Sequence, residues 1–136
     1  MPKKYLTVEQ AQHLLPEIRK KVRKLRLLRE APDILESLEV EFDDFIADYH
    51  HNLKIEKEYF RRQYEFHKIL EEMESRGCLV KDVEEGLVDF VHQHNGQEVF
   101  LCWKEGENKV RFWHDVGEGY EGRKRIYAEE DLEQSW

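Results

Sequence analysis

Residues 73–91 read Met73-Glu74-Ser75-Arg76-Gly77-Cys78-Leu79-Val80-Lys81-Asp82-Val83-Glu84-Glu85-Gly86-Leu87-Val88-Asp89-Phe90-Val91. The hydrophobic period changes inside this stretch. Before Gly77, apolar residues recur at three- and four-residue steps, the signature of a helix. After it they alternate, as in a half-buried strand. Gly77 is suited to the position just past a helix end, where the backbone turns left-handed. Cys78–Val83 and Leu87–Val91 then read as strands joined by Glu84-Glu85-Gly86.

Upstream, no proline or glycine occurs between Asp33 and Arg76, so one long helix is expected there. Leu35, Leu38, Phe42, Phe45, Tyr49, Tyr59, Phe66, Leu70 and Met73 fall on a heptad seam, interrupted by Asn52, Glu56 and Gln63. Further upstream, Thr7-Val8-Glu9-Gln10 fits a capping box. Ala11, Leu14, Leu15, Ile18, Val22, Leu25 and Leu28 continue as a helical stripe to about Glu30, with a kink expected at Pro16. At 1.5 Å per residue the helices would span about 65 Å and about 35 Å, so the shorter cannot cover the longer. A homodimer built on the long helix would solve that mismatch.

Downstream, Glu98–Trp103 and Lys109–His114 read as a second hairpin around Gly106-Glu107-Asn108. Pairing Lys104 with Lys109 would set Trp103 against Val110, Leu101 against Phe112 and Val99 against His114 on one face. Cys102 with Arg111, and Phe100 with Trp113, would fill the other. Both faces are aromatic, so cover on both sides is expected. Arg125–Tyr127 reads as a short strand and Asp131–Trp136 as a loose tail. The whole is one α+β domain. It has an antiparallel helical hairpin over 1–76, an antiparallel sheet of four or five strands over 77–127, and a tail over 128–136.

Composition narrows the function classes. The 136 residues include 22 basic and 30 acidic side chains, for a net charge of −8. No apolar run has the ~18 residues of a membrane span. Lys3 and Lys4 are followed by no apolar core of a signal peptide. With no export signal, Cys78 and Cys102 read as free cytoplasmic thiols. Residues 1–30 carry +6 and the remainder −14. The acidic block Asp33–Asp48 reads as the facing arm that neutralises the basic helix. A nucleic-acid surface on Lys20, Lys21, Arg23, Lys24 and Arg26 is the disfavoured alternative.

Several motifs form a pattern beyond the helices. They are Gly77-Cys78-Leu79-Val80-Lys81-Asp82, Gly86-Leu87-Val88-Asp89-Phe90, Glu98-Val99-Phe100-Leu101-Cys102-Trp103, Phe112-Trp113-His114 and Gly119-Tyr120-Glu121-Gly122-Arg123. With the opening Tyr5-Leu6-Thr7-Val8-Glu9-Gln10-Ala11 and Leu14-Leu15-Pro16, the chain resembles the uncharacterised bacterial domain-of-unknown-function 2203 family. Members often place a proline after the Val-Asp-Phe step, where Val91 stands here. The resemblance implies an architecture and no reaction.

Candidate chemistry is sparse. Gly117–Gly122 spells G-x-G-x-x-G, but an extended Arg123–Tyr127 follows it rather than a helix, which sets the dinucleotide reading aside. His92-Gln93-His94 and the Asp44, Asp48 and His51 trio lack the complete spacing of a metal site, so no metal and no cofactor is assigned. Cys102, between Leu101 and Trp103, reads as packing. The expected site is a sheet pocket of Trp103, Trp113, His114, Tyr120 and Arg123, suited to a small anion or an acidic peptide. The favoured function is therefore a noncatalytic interaction or anion-binding protein. The rival is a hydrolase using Asp82, Asp89 and His114 as acid–base or metal-assisted groups.

Overall fold

The computed structural model describes residues 4–29 and 45–126. The expected helix start at Asp33, the acidic block up to Asp44, Tyr127 and the tail lie outside these residues.

Helix α1 spans Val8–Arg29. Its capping box forms reciprocally: Gln10 N donates to Thr7 Oγ1 at 3.1 Å, and Thr7 N donates to Gln10 Oε1 at 2.9 Å. The helix continues through Pro16 and buries Val8, Ala11, Leu15, Ile18, Val22 and Leu25.

Helix α2 spans Phe45–Ser75. Arg76 reaches Glu17 at 2.7 Å and Arg62 reaches the Leu27 carbonyl at 3.5 Å, so the two helices run antiparallel. Phe66, Ile69, Leu70 and Met73 join the core, while the first half of α2 extends past the end of α1. Gly77 closes α2 with φ +85°. A Cβ there would stand 2.7 Å from the Lys4 carbonyl, so both the turn and the close approach of the N-terminal segment require glycine.

Five antiparallel strands follow in spatial order: β1 (Cys78–Asp82), β2 (Leu87–His94), β3 (Gln97–Lys104), β4 (Phe112–Asp115) and β5 (Lys124–Arg125). Cys78, Val80, Val88, Phe90, Leu101, Trp103 and Trp113 share the core with α1 and α2. The alternate residues, Asp89, Val91, Phe100, Cys102, Phe112 and His114, face the other way. Both faces of β2 and β3 are buried in their central residues, as the two aromatic faces implied.

Two features of the sheet differ from the sequence expectation. Strand β2 continues past Val91 to His94 and returns through Asn95 (φ 52°) and Gly96 (φ 79°). Two successive positive φ values make this a tight hairpin turn whose twist matches the strands. The β3–β4 register is also one residue off the expected one, with Phe100 opposite His114, Leu101 opposite Trp113 and Cys102 opposite Phe112. The cause is distant. Gln12 on α1 donates to the Val110 carbonyl and accepts from the Val110 amide, both at 2.9 Å, holding Val110 out of the ladder. One residue of slip exchanges the faces. It brings Trp113 into the core and turns His114 towards Asp89.

His92 ties the N-terminal segment to the sheet. Its Nδ1 donates to the Leu6 carbonyl at 2.6 Å, and the ring is buried. Burial holds this imidazole below its ordinary range. Below about pH 6.5 the unfolded chain therefore binds more protons than the folded one, and stability falls with pH by up to about 1.4 kcal/mol per unit. The decline stops where the folded group itself protonates. In urea unfolding between about pH 7 and pH 5, His92→Gln should show a shallower decline than the parent. Equal slopes would assign the acid sensitivity to other groups.

Candidate functional site

The face of the sheet turned away from the helices carries a buried polar cluster. Asp89 on β2 and Cys102 on β3 are direct cross-strand partners. His114 on β4 lies opposite Phe100, one pleat along from Cys102 on the same face. Its Nε2 is 3.0 Å from Asp89 Oδ2, and both side chains are 3% exposed. Its Nδ1 donates to the Asp115 carbonyl at 2.9 Å. A carbonyl only accepts, so Nδ1 carries a proton, and one further proton lies between Nε2 and Oδ2. Asp89 Oδ1 is buried and has no hydrogen-bond partner. One ligand atom each from Asp89, Cys102 and His114 lie within 4.8 Å of one another.

Arg123 borders the cluster. Its Nη1 lies 3.9 Å from Cys102 Sγ, while Nη1 and Nη2 each donate to Glu107 at 3.0 Å. The guanidinium stacks on Phe112 at 4.0 Å and on Tyr120 at 4.3 Å. Glu107 is fixed in turn, accepting at 2.7 Å from the Lys104 amide and at 2.8 Å, through its carbonyl, from the Trp103 indole. The glycine-rich stretch makes a three-residue 3-10 turn, Tyr120–Gly122, that presents Tyr120 to Arg123.

This geometry limits the chemistry. A cysteine nucleophile needs a thiolate and a base with a free nitrogen. Burial pushes the Cys102 thiol up to about 12. Both ring nitrogens of His114 are engaged, so neither is free to take a proton from Sγ.

The sheet divides the expected pocket. Trp103 and Trp113 lie on the helix side, Trp103 completely buried and Trp113 half-buried beneath Lys124. His114, Tyr120 and Arg123 lie with the Asp89 cluster or at its rim. Of the three acid–base candidates, Asp89 and His114 meet. Asp82 is exposed at the end of β1, where its carboxylate caps the Glu85 amide at 3.0 Å. It borders a separate groove of about 640 Å3 between the β1–β2 turn and the helices. Among the basic candidates on α1, Arg26 pairs with Glu105 at 2.7 Å and Lys21 with Glu17 at 3.3 Å, while Lys20, Arg23 and Lys24 are exposed.

Cys102 is the member of this cluster that residue types alone passed over as packing. The available signal was the alternation along Leu101-Cys102-Trp103, which sets the thiol opposite the core tryptophan and beside Asp89. Among the described residues, no other three Cys, His or acidic groups gather in this way.

No curated protein and no solved structure matches the chain. A family model described as "Uncharacterized conserved protein (DUF2203)" matches residues 4–126, which span both helices and all five strands. The chain belongs to that family.

Proposed function

We propose that the protein is a noncatalytic cytoplasmic interaction protein, and that its interaction begins with a second copy of itself through α2. A second apolar stripe on α2 carries this reading. The core-facing stripe is Phe66, Ile69, Leu70 and Met73. Tyr49, Leu53, Phe60 and Tyr64 fall within a different sector of the helix by the 3.6-residue period. Tyr49 is 58% exposed, Phe60 66% and Tyr64 68%.

The spacing of this stripe is self-complementary. In an antiparallel pair with its two-fold axis between Glu56 and Lys57, Tyr49 meets Tyr64 of the second copy and Leu53 meets Phe60. Glu56 meets Lys57 at the centre. A two-fold interface needs this property, because one patch serves both partners. Exposed Arg61 bridges Glu58 at 2.7 Å and Glu65 at 2.9 Å, and Arg62 joins Glu58 at 3.2 Å, which supports the helix between the aromatic residues. The two free cysteines are buried, which suits a reducing compartment. An anion at Arg123 would have to displace Glu107 from a bidentate pair, so the interaction reading is the stronger one.

Light scattering at micromolar concentration should give twice the chain mass. Phe60→Glu combined with Tyr64→Glu should give a monomer with unchanged far-UV circular dichroism, since neither side chain belongs to the core. A monomeric parent, or a dimer that survives both changes, would overturn the reading.

A further inference from the structure

We propose that Asp89, Cys102 and His114 form a binding site for a divalent transition metal of the zinc class. Three observations converge on it. The cluster offers one oxygen, one sulfur and one nitrogen donor within 4.8 Å, on three adjacent strands rather than on loops. Tetrahedral zinc bonds of about 2.0–2.3 Å place donor atoms roughly 3.3–3.8 Å apart, so the cluster needs to close by about an ångström at most. Asp89 Oδ1 is buried without a partner, although a buried carboxylate oxygen ordinarily has one. The third observation is the setting of the ligands. His114 donates Nδ1–H to the Asp115 carbonyl, the outer contact that fixes a metal-binding imidazole and leaves Nε2 to the ion. Arg123 Nη1 approaches Sγ, as a donor to a bound thiolate would.

Charge balance favours the same class. A carboxylate, a thiolate and a neutral imidazole together carry −2, which a divalent ion neutralises inside a site from which water is nearly excluded. Glu107 already neutralises Arg123, so the guanidinium adds no net repulsion. Magnesium and calcium prefer all-oxygen ligands, whereas mixed imidazole, thiolate and carboxylate donors suit zinc and its neighbours. The ion takes the place of the proton between Nε2 and Oδ2 and of the thiol proton, and both protons leave to solvent. The high intrinsic proton affinity of a buried thiol is overcome because coordination deprotonates it.

The test uses the full chain, stripped with a chelator and titrated with Co2+ alone. The expected result is a thiolate-to-cobalt charge-transfer band with tetrahedral visible bands, saturating at one ion per chain and displaced by Zn2+. Cys102→Ser should abolish the charge-transfer band, Cys78→Ser should leave it, and His114→Gln should weaken cobalt binding at least tenfold. The parent should also retain zinc through gel filtration, a measurement that needs no variant to fold. Absence of the band in the parent, its persistence in Cys102→Ser, or a parent that releases all its zinc would overturn the proposal. None of these readouts depends on the oligomeric state.

Discussion

Trp103→Ala is expected to destabilise the protein by about 3–5 kcal/mol, the range for removing a buried aromatic side chain. Domains of this size are stable by only about 5–15 kcal/mol, so the variant should unfold at a much lower urea concentration. Trp103 is among the largest completely buried side chains, on the central strand β3, facing the stripe of α1. It also performs a polar task. Its indole donates to the Glu107 carbonyl at 2.8 Å, and the Glu107 carboxylate both caps the Lys104 amide and clamps Arg123. Trp103→Phe keeps most of the ring and removes only that donor, so a smaller loss of about 1–3 kcal/mol is expected. Urea unfolding followed by far-UV circular dichroism reads both variants without relying on the fluorescence of the residue removed. A loss below about 1 kcal/mol in Trp103→Ala would show that the cavity collapses and that β3 does not anchor the core.

The elements legible in the sequence were those fixed by nearby residues. The Thr7–Gln10 capping box, the α1 stripe and the change of period at Gly77 each involve partners within one or two turns of chain, and each stands where it was read. The Asn95-Gly96 turn was equally local. Its strand was cut short at Val91 because His92 and His94 look polar, yet His92 is buried through a bond to the Leu6 carbonyl, 86 residues away in sequence. The β3–β4 register depends on Gln12, 98 residues from Val110, and no periodicity in either segment carries that information. The candidate site inherited the difficulty. Asp89 and His114 were both singled out, but only the register set by Gln12 puts His114 on the face of Asp89 and Cys102. Trp103 and Trp113 were grouped with His114 by sequence proximity, and the alternation of a strand separates such neighbours onto opposite faces.

The Asp89–His114 contact should be the most sensitive polar interaction in the sheet. In chelator-treated protein, Asp89→Ala is expected to cost about 3–5 kcal/mol, as removal of one partner from a buried pair does. The reason is geometric. The Asp115 carbonyl commits Nδ1 to carry a proton, so Nε2 must find its partner on the Asp89 side. With 3% exposure, water cannot replace the carboxylate there. Asp89→Asn should cost only about 1 kcal/mol, because its amide can donate to the Nε2 lone pair with no change of tautomer. The double variant Asp89→Ala with His114→Ala should cost less than the two single changes added together, since removing both groups leaves neither one stranded. The cycle must be run without metal, because any ion bound only to the folded parent would add its own stabilisation to every comparison. Single costs that add within about 0.5 kcal/mol would show that the 3.0 Å contact contributes no energy of its own, and would leave the burial of the two groups, rather than their pairing, as what the sheet requires.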